Sequence, residues 1–109
     1  MRFGFSRENA FAKELAARLV RELPPTAMAD RRKVLSVNKV TRLLERTYSQ
    51  VAGWQRENRA GFIRRAVLAN AFRWELKGSG YPDDFIDVAT EGLVVEMTKA
   101  RSAAADTGA

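Results

Sequence analysis

Residues 62–77 read FIRRAVLANAFRWELK, and this stretch decides the fold. At about 100° per residue, the turn of an α-helix, its bulky apolar side chains fall into two arcs. One arc holds Ile63, Val67 and Trp74, and the other holds Phe62, Leu68, Phe72 and Leu76. A helix that is apolar on two sides is normally packed on two sides, so we expect helix 62–77 to lie at the centre of the domain.

Turn signals follow this helix directly. Gly78-Ser79-Gly80 predicts its end, because glycine readily adopts the left-handed C-cap conformation. Tyr81-Pro82-Asp83-Asp84 predicts the start of another helix, since proline suits the first turn and acids suit its positive end. Its apolar face would be formed by Ile86, Ala89, Leu93, Met97 and Ala100. We expect this helix to span 82–101 and the small, polar residues 102–109 to form a flexible tail.

Two further helices are predicted upstream by apolar or small residues that recur at helical spacing. The recurring residues are Phe11, Leu15, Leu19 and Leu23 in the first helix and Val40, Leu44, Thr47, Val51 and Trp54 in the second. We expect the first helix to span 6–23, with Ser6 as its N-cap and Pro24-Pro25 as its stop. The second is expected to span 37–57. The sequence therefore predicts an all-α, compact single domain of about four helices within residues 1–101.

The composition excludes several kinds of chemistry. The chain has 109 residues and contains no cysteine and no histidine. Disulfides, thiol nucleophiles and the usual zinc sites are therefore excluded, and so is the side chain best suited to proton transfer near neutral pH. The seven glycines are scattered, so the sequence has no Gly-rich phosphate loop. We expect no catalytic residue, no metal and no cofactor, and hence a protein that is not an enzyme.

Membrane and secretory signals are also missing from the sequence. No run of about 18 uninterrupted apolar residues exists, so no membrane-spanning segment is expected. Charges at Arg7, Glu8, Lys13 and Glu14 interrupt the early apolar residues, which a secretory signal would keep together. We expect a cytoplasmic protein without a membrane partner.

Charge is sorted by position along the chain. Between Arg31 and Lys77 there are twelve bases and three acids, whereas the residues from Gly78 to the end hold two bases and six acids. A positive middle and a negative last segment predict either an anionic partner or an internal clasp.

Lys39, Arg42 and Arg46 follow the spacing i, i+3, i+7 and form one row, which we call the cationic ridge. Several cations held in a row on a rigid helix are what phosphate binding requires. The candidate site for nucleic acid or an acidic protein surface comprises Arg31, Arg32, Lys33, Lys39, Arg42, Arg46, Arg64 and Arg65. The alternative is a solvated face that stays polar for solubility.

Asp84, Asp87 and Glu91 repeat the same spacing on the last helix, and we call them the acidic stripe. Helix spacing rarely brings six oxygens to one point, so a bound cation is not expected there. Acids near a helix N-terminus favour its dipole, which is one explanation. The other is that the acidic stripe faces the basic middle of the chain, within one chain or across a homodimer, and would then compete with any polyanion.

Two stretches resemble known DNA-binding motifs. Residues 35–44, LSVNKVTRLL, resemble the turn and second helix of a helix-turn-helix, except that Arg42 occupies a position that is normally apolar. Residues 33–77 are similar in order to a ribbon-helix-helix, which implies an intertwined dimer whose paired strands present Ser36 and Asn38 to the major groove. A ribbon-helix-helix-like core at 33–77 is therefore the alternative fold.

Two functions follow from these patterns. The first is a small, basic, non-enzymatic protein that binds nucleic acid through the cationic ridge and has a regulatory role. The second is an adaptor or assembly subunit whose basic middle docks an acidic partner. The second function also allows a homodimer, because apolar residues such as Val88 and Val95 lie outside the main stripe of their helix.

Overall fold

The computed structural model describes residues 5–26, 37–58 and 61–108. Within these ranges the chain forms four α-helices and no strand. The helices are α1, Ser6–Glu22; α2, Val37–Asn58; α3, Phe62–Ser79; and α4, Asp83–Gly108. The predicted all-α class with four helices is confirmed.

The helix ends follow the turn residues with one exception. Gly80 has a left-handed φ of 97° and caps α3, where its N–H donates to carbonyls of the last turn. α1 ends at Glu22, just before Leu23 and Pro24-Pro25. Ser6, however, is the first residue of α1 and not its N-cap, because the cap position is taken by Phe5.

The last helix is longer than predicted. α4 ends at Gly108, whereas the sequence pattern placed its end at 101. Residues 103–105 are three consecutive alanines, and alanine has the highest intrinsic helix propensity of all residues. The backbone of 102–108 is thus helical, and the mobility of this tail in solution stays a prediction.

The four helices pack in a closed ring in the order α1, α3, α4, α2. The most extensive contact is between α1 and α3, followed by α3 with α4 and α2 with α4, and the smallest is between α1 and α2. The enclosed core is built mainly from leucines and small residues: Ala12, Leu15, Leu19, Leu43, Val51, Leu68, Phe72, Leu76, Ile86, Ala89 and Leu93. α3 therefore has the largest share of the helix–helix contacts, although each helix of the ring has two neighbours.

Of the two apolar arcs of α3, one is packed except for Phe62 at its start, which is 76% exposed, so the helix is not packed on two opposite sides as predicted. Leu68, Phe72 and Leu76 are fully buried, whereas Ile63 and Trp74 are 66% and 60% exposed. Both neighbours, α1 and α4, lie on the Leu68 side of α3. Within the described ranges no third helix covers the opposite side, so that side remains in contact with solvent.

The alternative fold is wrong for the residues that the structure describes. α2 begins at Val37, so 37–40 are helical and Asn38 does not lie on a strand. Residues 33–36, which include Ser36 of the predicted ribbon and the start of the helix-turn-helix resemblance, lie outside the described residues. The apolar face of α2 packs into the ring, which favours helix over strand from the first described residue.

Candidate functional site

Contacts with α4 fix the orientation of α2. The Tyr48 hydroxyl donates a hydrogen bond to the Ala89 carbonyl at 2.9 Å, and the Gln55 amide donates to the Met97 carbonyl at 3.1 Å. Burial, with a smaller contribution from the Glu96 carboxylate, raises the pKa of Tyr48 to about 12, so its hydroxyl keeps the proton that it donates. These bonds determine which side of α2 turns away from α4.

An aromatic contact joins α2 to α1. The rings of Phe11 and Trp54 stack with centroids 5.2 Å apart and planes only 8° from parallel. Such a pair contributes about 0.5–1.5 kcal/mol beyond the area that it buries. With α4 on one side and α1 on another, α2 presents a single remaining side to solvent.

The cationic ridge lies on this solvent-facing side of α2. Lys39, Arg42 and Arg46 are all exposed. Of the three, Arg46 pairs with an acid: its Nη1 lies 3.8 Å from Glu22 Oε1, and the two side chains are 73% and 43% exposed. An exposed pair of this length contributes only about 0–1 kcal/mol, so all three cations stay available to an anion.

A groove of about 500 Å³ runs between α1 and α2 beside the cationic ridge. Arg18 and Glu22 line it from α1, and Arg46, Ser49 and Gln50 line it from α2. Arg18 was not among the predicted site residues, because in the sequence it belongs to an ordinary solvated helix face. Only the packing of α1 against α2 places it at the same groove as Arg46.

Arg64 and Arg65 do not extend the cationic ridge. Arg64 Nη1 lies 3.4 Å from Oε1 of Glu8, whose side chain is fully buried. Arg65 donates to the Gly61 carbonyl at 3.4 Å and lies 6.0 Å from the centre of the Phe62 ring. Both residues follow the C-terminal end of α2, which lies about 18 Å along that helix from Arg46.

The eight predicted site residues are therefore divided among separate places. Lys39, Arg42 and Arg46 form the exposed ridge, whereas Arg64 and Arg65 belong to the first turn of α3. Residues 31–33 (Arg31, Arg32 and Lys33) lie outside the described part of the chain.

The acidic stripe does not cover the cationic ridge. Asp87 Oδ1 lies 2.9 Å from Arg73 Nη1 on α3, and Asp84 Oδ1 accepts the backbone N–H of Phe85 at 2.8 Å. α2 reaches α4 on a different side, where the Tyr48 ring lies against Gly92. Within one chain Asp87 thus pairs with Arg73, a base of the positive middle segment, and not with the cationic ridge. A counterpart in a second chain stays a prediction.

A second surface is apolar. Six large apolar side chains in the described ranges are exposed, and every one of them lies on α3 or α4: Phe62, Ile63, Trp74, Val88, Val94 and Val95. Between these helices a groove of about 360 Å³ is lined by Phe62, Ala66 and Ala69 of α3 and by Val94 and Met97 of α4, with Arg65 and Thr98 at its edge. We call this surface the α3–α4 face. Periodicity marked surplus apolar residues on both helices, the second arc of α3 and Val88 and Val95 of α4, but did not show that a groove lies between α3 and α4.

Other kinds of site have no support in the described residues. No three of their carboxylates are arranged to hold a metal ion, the acidic stripe included. None of their helices combines the length and the apolar character needed to cross a bilayer. Comparison of the chain with models of protein families, with curated proteins and with solved structures found no match.

Proposed function

We propose that this chain is a non-enzymatic protein that binds a polyanion, nucleic acid in the first place, through the cationic ridge on α2. The observation that carries the proposal is the exposure of Lys39, Arg42 and Arg46 together, with only a weak pair to Glu22. The ridge sits on a helix held by the Tyr48 and Gln55 hydrogen bonds. Its cations are therefore presented in a row on a rigid support, and Arg18 adds another at the adjoining groove.

The physical basis of such binding is the release of counterions. Each phosphate that a base neutralises frees condensed cations, and the logarithm of affinity falls with the logarithm of salt concentration by about 0.9 per phosphate on duplex DNA. Three ridge cations would then account for a slope of about 2.7, and Arg18 would raise it further. The sequence of the nucleic acid would matter little, because phosphate contacts set position and not base identity.

The experiment compares the wild-type chain with a variant in which Lys39, Arg42 and Arg46 are all changed to glutamine. Affinities for duplex DNA, single-stranded DNA and RNA are measured by fluorescence anisotropy over a series of salt concentrations. We expect the variant to bind more weakly at low salt and its slope to fall by about 2.7. Binding that is undetectable at low salt, or a wild-type affinity indifferent to salt, would refute the proposal.

A matched control removes the same charge elsewhere. Lys13, Arg56 and Lys99 are exposed bases on α1, α2 and α4, and all three are changed to glutamine in the control. The control has the same net charge as the ridge variant. Any difference in affinity between the two variants therefore reflects where the three cations lie and not how many were removed. If both variants lose affinity equally, the ridge is not the site.

A second candidate is an adaptor whose cationic ridge docks an acidic protein surface. The observation that favours it is the carboxylate of Glu22, which lies between Arg18 and Arg46 in the groove and would repel a uniform line of phosphates. A partner with both signs of charge would tolerate Glu22 better than nucleic acid does. An acidic peptide that binds the wild type more tightly than any nucleic acid, and loses affinity in the ridge variant, would establish this candidate.

A further inference from the structure

The α3–α4 face carries charges of opposite sign on its two helices. Next to its apolar residues, α3 exposes Arg73 and Lys77, whereas α4 exposes Asp83, Asp84 and Glu91. Arg73 and Asp87 already pair across the boundary between the helices at 2.9 Å. The bases Arg73 and Lys77 of α3 thus lie opposite the acids in the first half of α4, while the base Lys99 is exposed farther along α4.

α3 and α4 run antiparallel, and their contacts show which residues lie at the same level along the two helix axes. Arg73 lies level with Asp87, as their ion pair shows. Phe62 and Ala66 lie level with Val94 and Thr98, since all four line one groove. The end of the α3–α4 face at Phe62 and Val94 is therefore largely apolar on both helices, with Arg65 at its edge. The end at Arg73 and Asp87 carries opposite charges beside the exposed Trp74 and Val88.

A surface with this pattern is complementary to itself. A two-fold axis parallel to the helices would bring α3 of one chain opposite α4 of the other at the same height. Phe62 and Ala66 would then meet Val94 and Thr98 of a second copy, and the bases of α3 would meet the acids of α4. An isologous interface has this property, because each patch contacts its counterpart twice.

We infer that the α3–α4 face is the interface of a symmetric homodimer, with α3 of each chain packed antiparallel on α4 of the other. The partner on this face is a second copy of this chain and not a helix of another protein, because the exposed bases of α3 and the exposed acids of α4 are opposite in sign. This inference does not rest on the proposed function, since the cationic ridge lies on α2 and stays outside the interface.

The exposed apolar surface is large enough to contribute to a stable contact. Phe62 and Trp74 are 76% and 60% exposed, and aromatic side chains of this kind bury about 150–250 Å² each. The two rings alone would therefore contribute on the order of 250 Å² per chain, toward the roughly 800 Å² per partner of a standard interface. Ile63, Val94 and Val95 add to it, together with the walls of the groove.

Sedimentation of the full chain over a wide range of concentrations tests the dimer. We expect the wild type to approach twice its mass of 12.2 kDa, and the variant Phe62→Glu to dissociate at least about ten-fold more readily, because a carboxylate would be buried in an apolar contact. Ala17→Glu is the control, since Ala17 is an exposed position on α1. A wild type that stays monomeric, or a Phe62→Glu variant that associates like the wild type, would overturn the inference.

Cysteine cross-linking tests the register, because the natural chain has no cysteine. Chains with Ala66→Cys and chains with Val94→Cys are oxidised separately and as a mixture. We expect the disulfide between the two different variants to exceed either disulfide between identical chains. Dominant cross-linking between two Ala66→Cys chains would show that α3 packs on α3 and would overturn the proposed symmetry.

Discussion

Changing Arg64 to methionine should destabilise the fold and leave the polyanion site intact. Arg64 contacts Glu8, whose side chain is 0% exposed and whose Oε2 has no hydrogen-bond partner among the described residues. Methionine keeps most of the length of the arginine side chain but removes its charge. The substitution would therefore leave a buried carboxylate without its cation while changing little of the surrounding packing.

The magnitude follows from the geometry of the pair. Removing one partner of a fully buried ion pair costs about 3–5 kcal/mol. Here the guanidinium is 43% exposed and the 3.4 Å separation is longer than a good charge-assisted bond, so solvent already weakens the pair. Glu8 also lies in the first turn of α1, where the helix dipole favours an anion. We expect a loss of about 2 kcal/mol in the free energy of unfolding.

Urea denaturation followed by circular dichroism measures this loss, and Arg65→Met is the matched control. Arg65 is the neighbouring arginine and has no ion pair to an acid among the described residues. It contacts the Gly61 carbonyl and the Phe62 ring, so its change should cost about 0.5–1 kcal/mol, less than that of Arg64. The double variant Glu8→Leu with Arg64→Met should regain most of the lost stability, because replacing both partners by apolar groups is often neutral. If Arg64→Met unfolds like the wild type, the Glu8–Arg64 contact does not stabilise the fold. A reduced salt slope of nucleic-acid binding in this variant would instead assign Arg64 to the polyanion site.

Four further outcomes follow from particular residues. Burial raises the pKa of both Tyr48 and Tyr81 from 10 to about 12, so the stability that depends on their protons is complete below pH 10 and is lost as the pH rises toward 12. Because solvent screens part of this effect, the loss in the free energy of unfolding should be about 1–2 kcal/mol per tyrosine. Urea titrations at increasing pH should show a smaller total loss in Tyr81→Phe, which has one titrating tyrosine fewer. Gly92→Ala should cost about 2 kcal/mol in chemical denaturation, because a Cβ there would overlap the Tyr48 hydroxyl and ring. Gly53→Ala on α2, which meets no atom within 4 Å, should instead stabilise by about 0.5–1 kcal/mol. Gly80→Ala should lower the melting temperature, since its φ of 97° strains any residue with a Cβ, at a cost of about 1 kcal/mol.

Part of the candidate site was predictable from local spacing. Lys39, Arg42 and Arg46 recur at i, i+3, i+7, which places them together on any straight helix, and they are exposed as expected. The helical period places Glu8 on the apolar face of α1 with Ala12, Leu15 and Leu19, but the sequence does not show that Arg64 lies beside it. The burial of Glu8 depends on α3 packing across α1, a contact between residues more than fifty positions apart.

The sequence predicted the four helices and most of their ends, though not the end of α4 at Gly108, because hydrophobic period, proline and left-handed glycine act within a few residues of one another. It also determined which side chains share a face of each helix. Only the tertiary structure decided which of those faces is covered: the Leu68 side of α3 is buried, whereas the Trp74 side is left to solvent. The physical reason is that both arcs of α3 are apolar enough to be buried. The choice between them depends on where α1 and α4 pack, and no local pattern encodes that position.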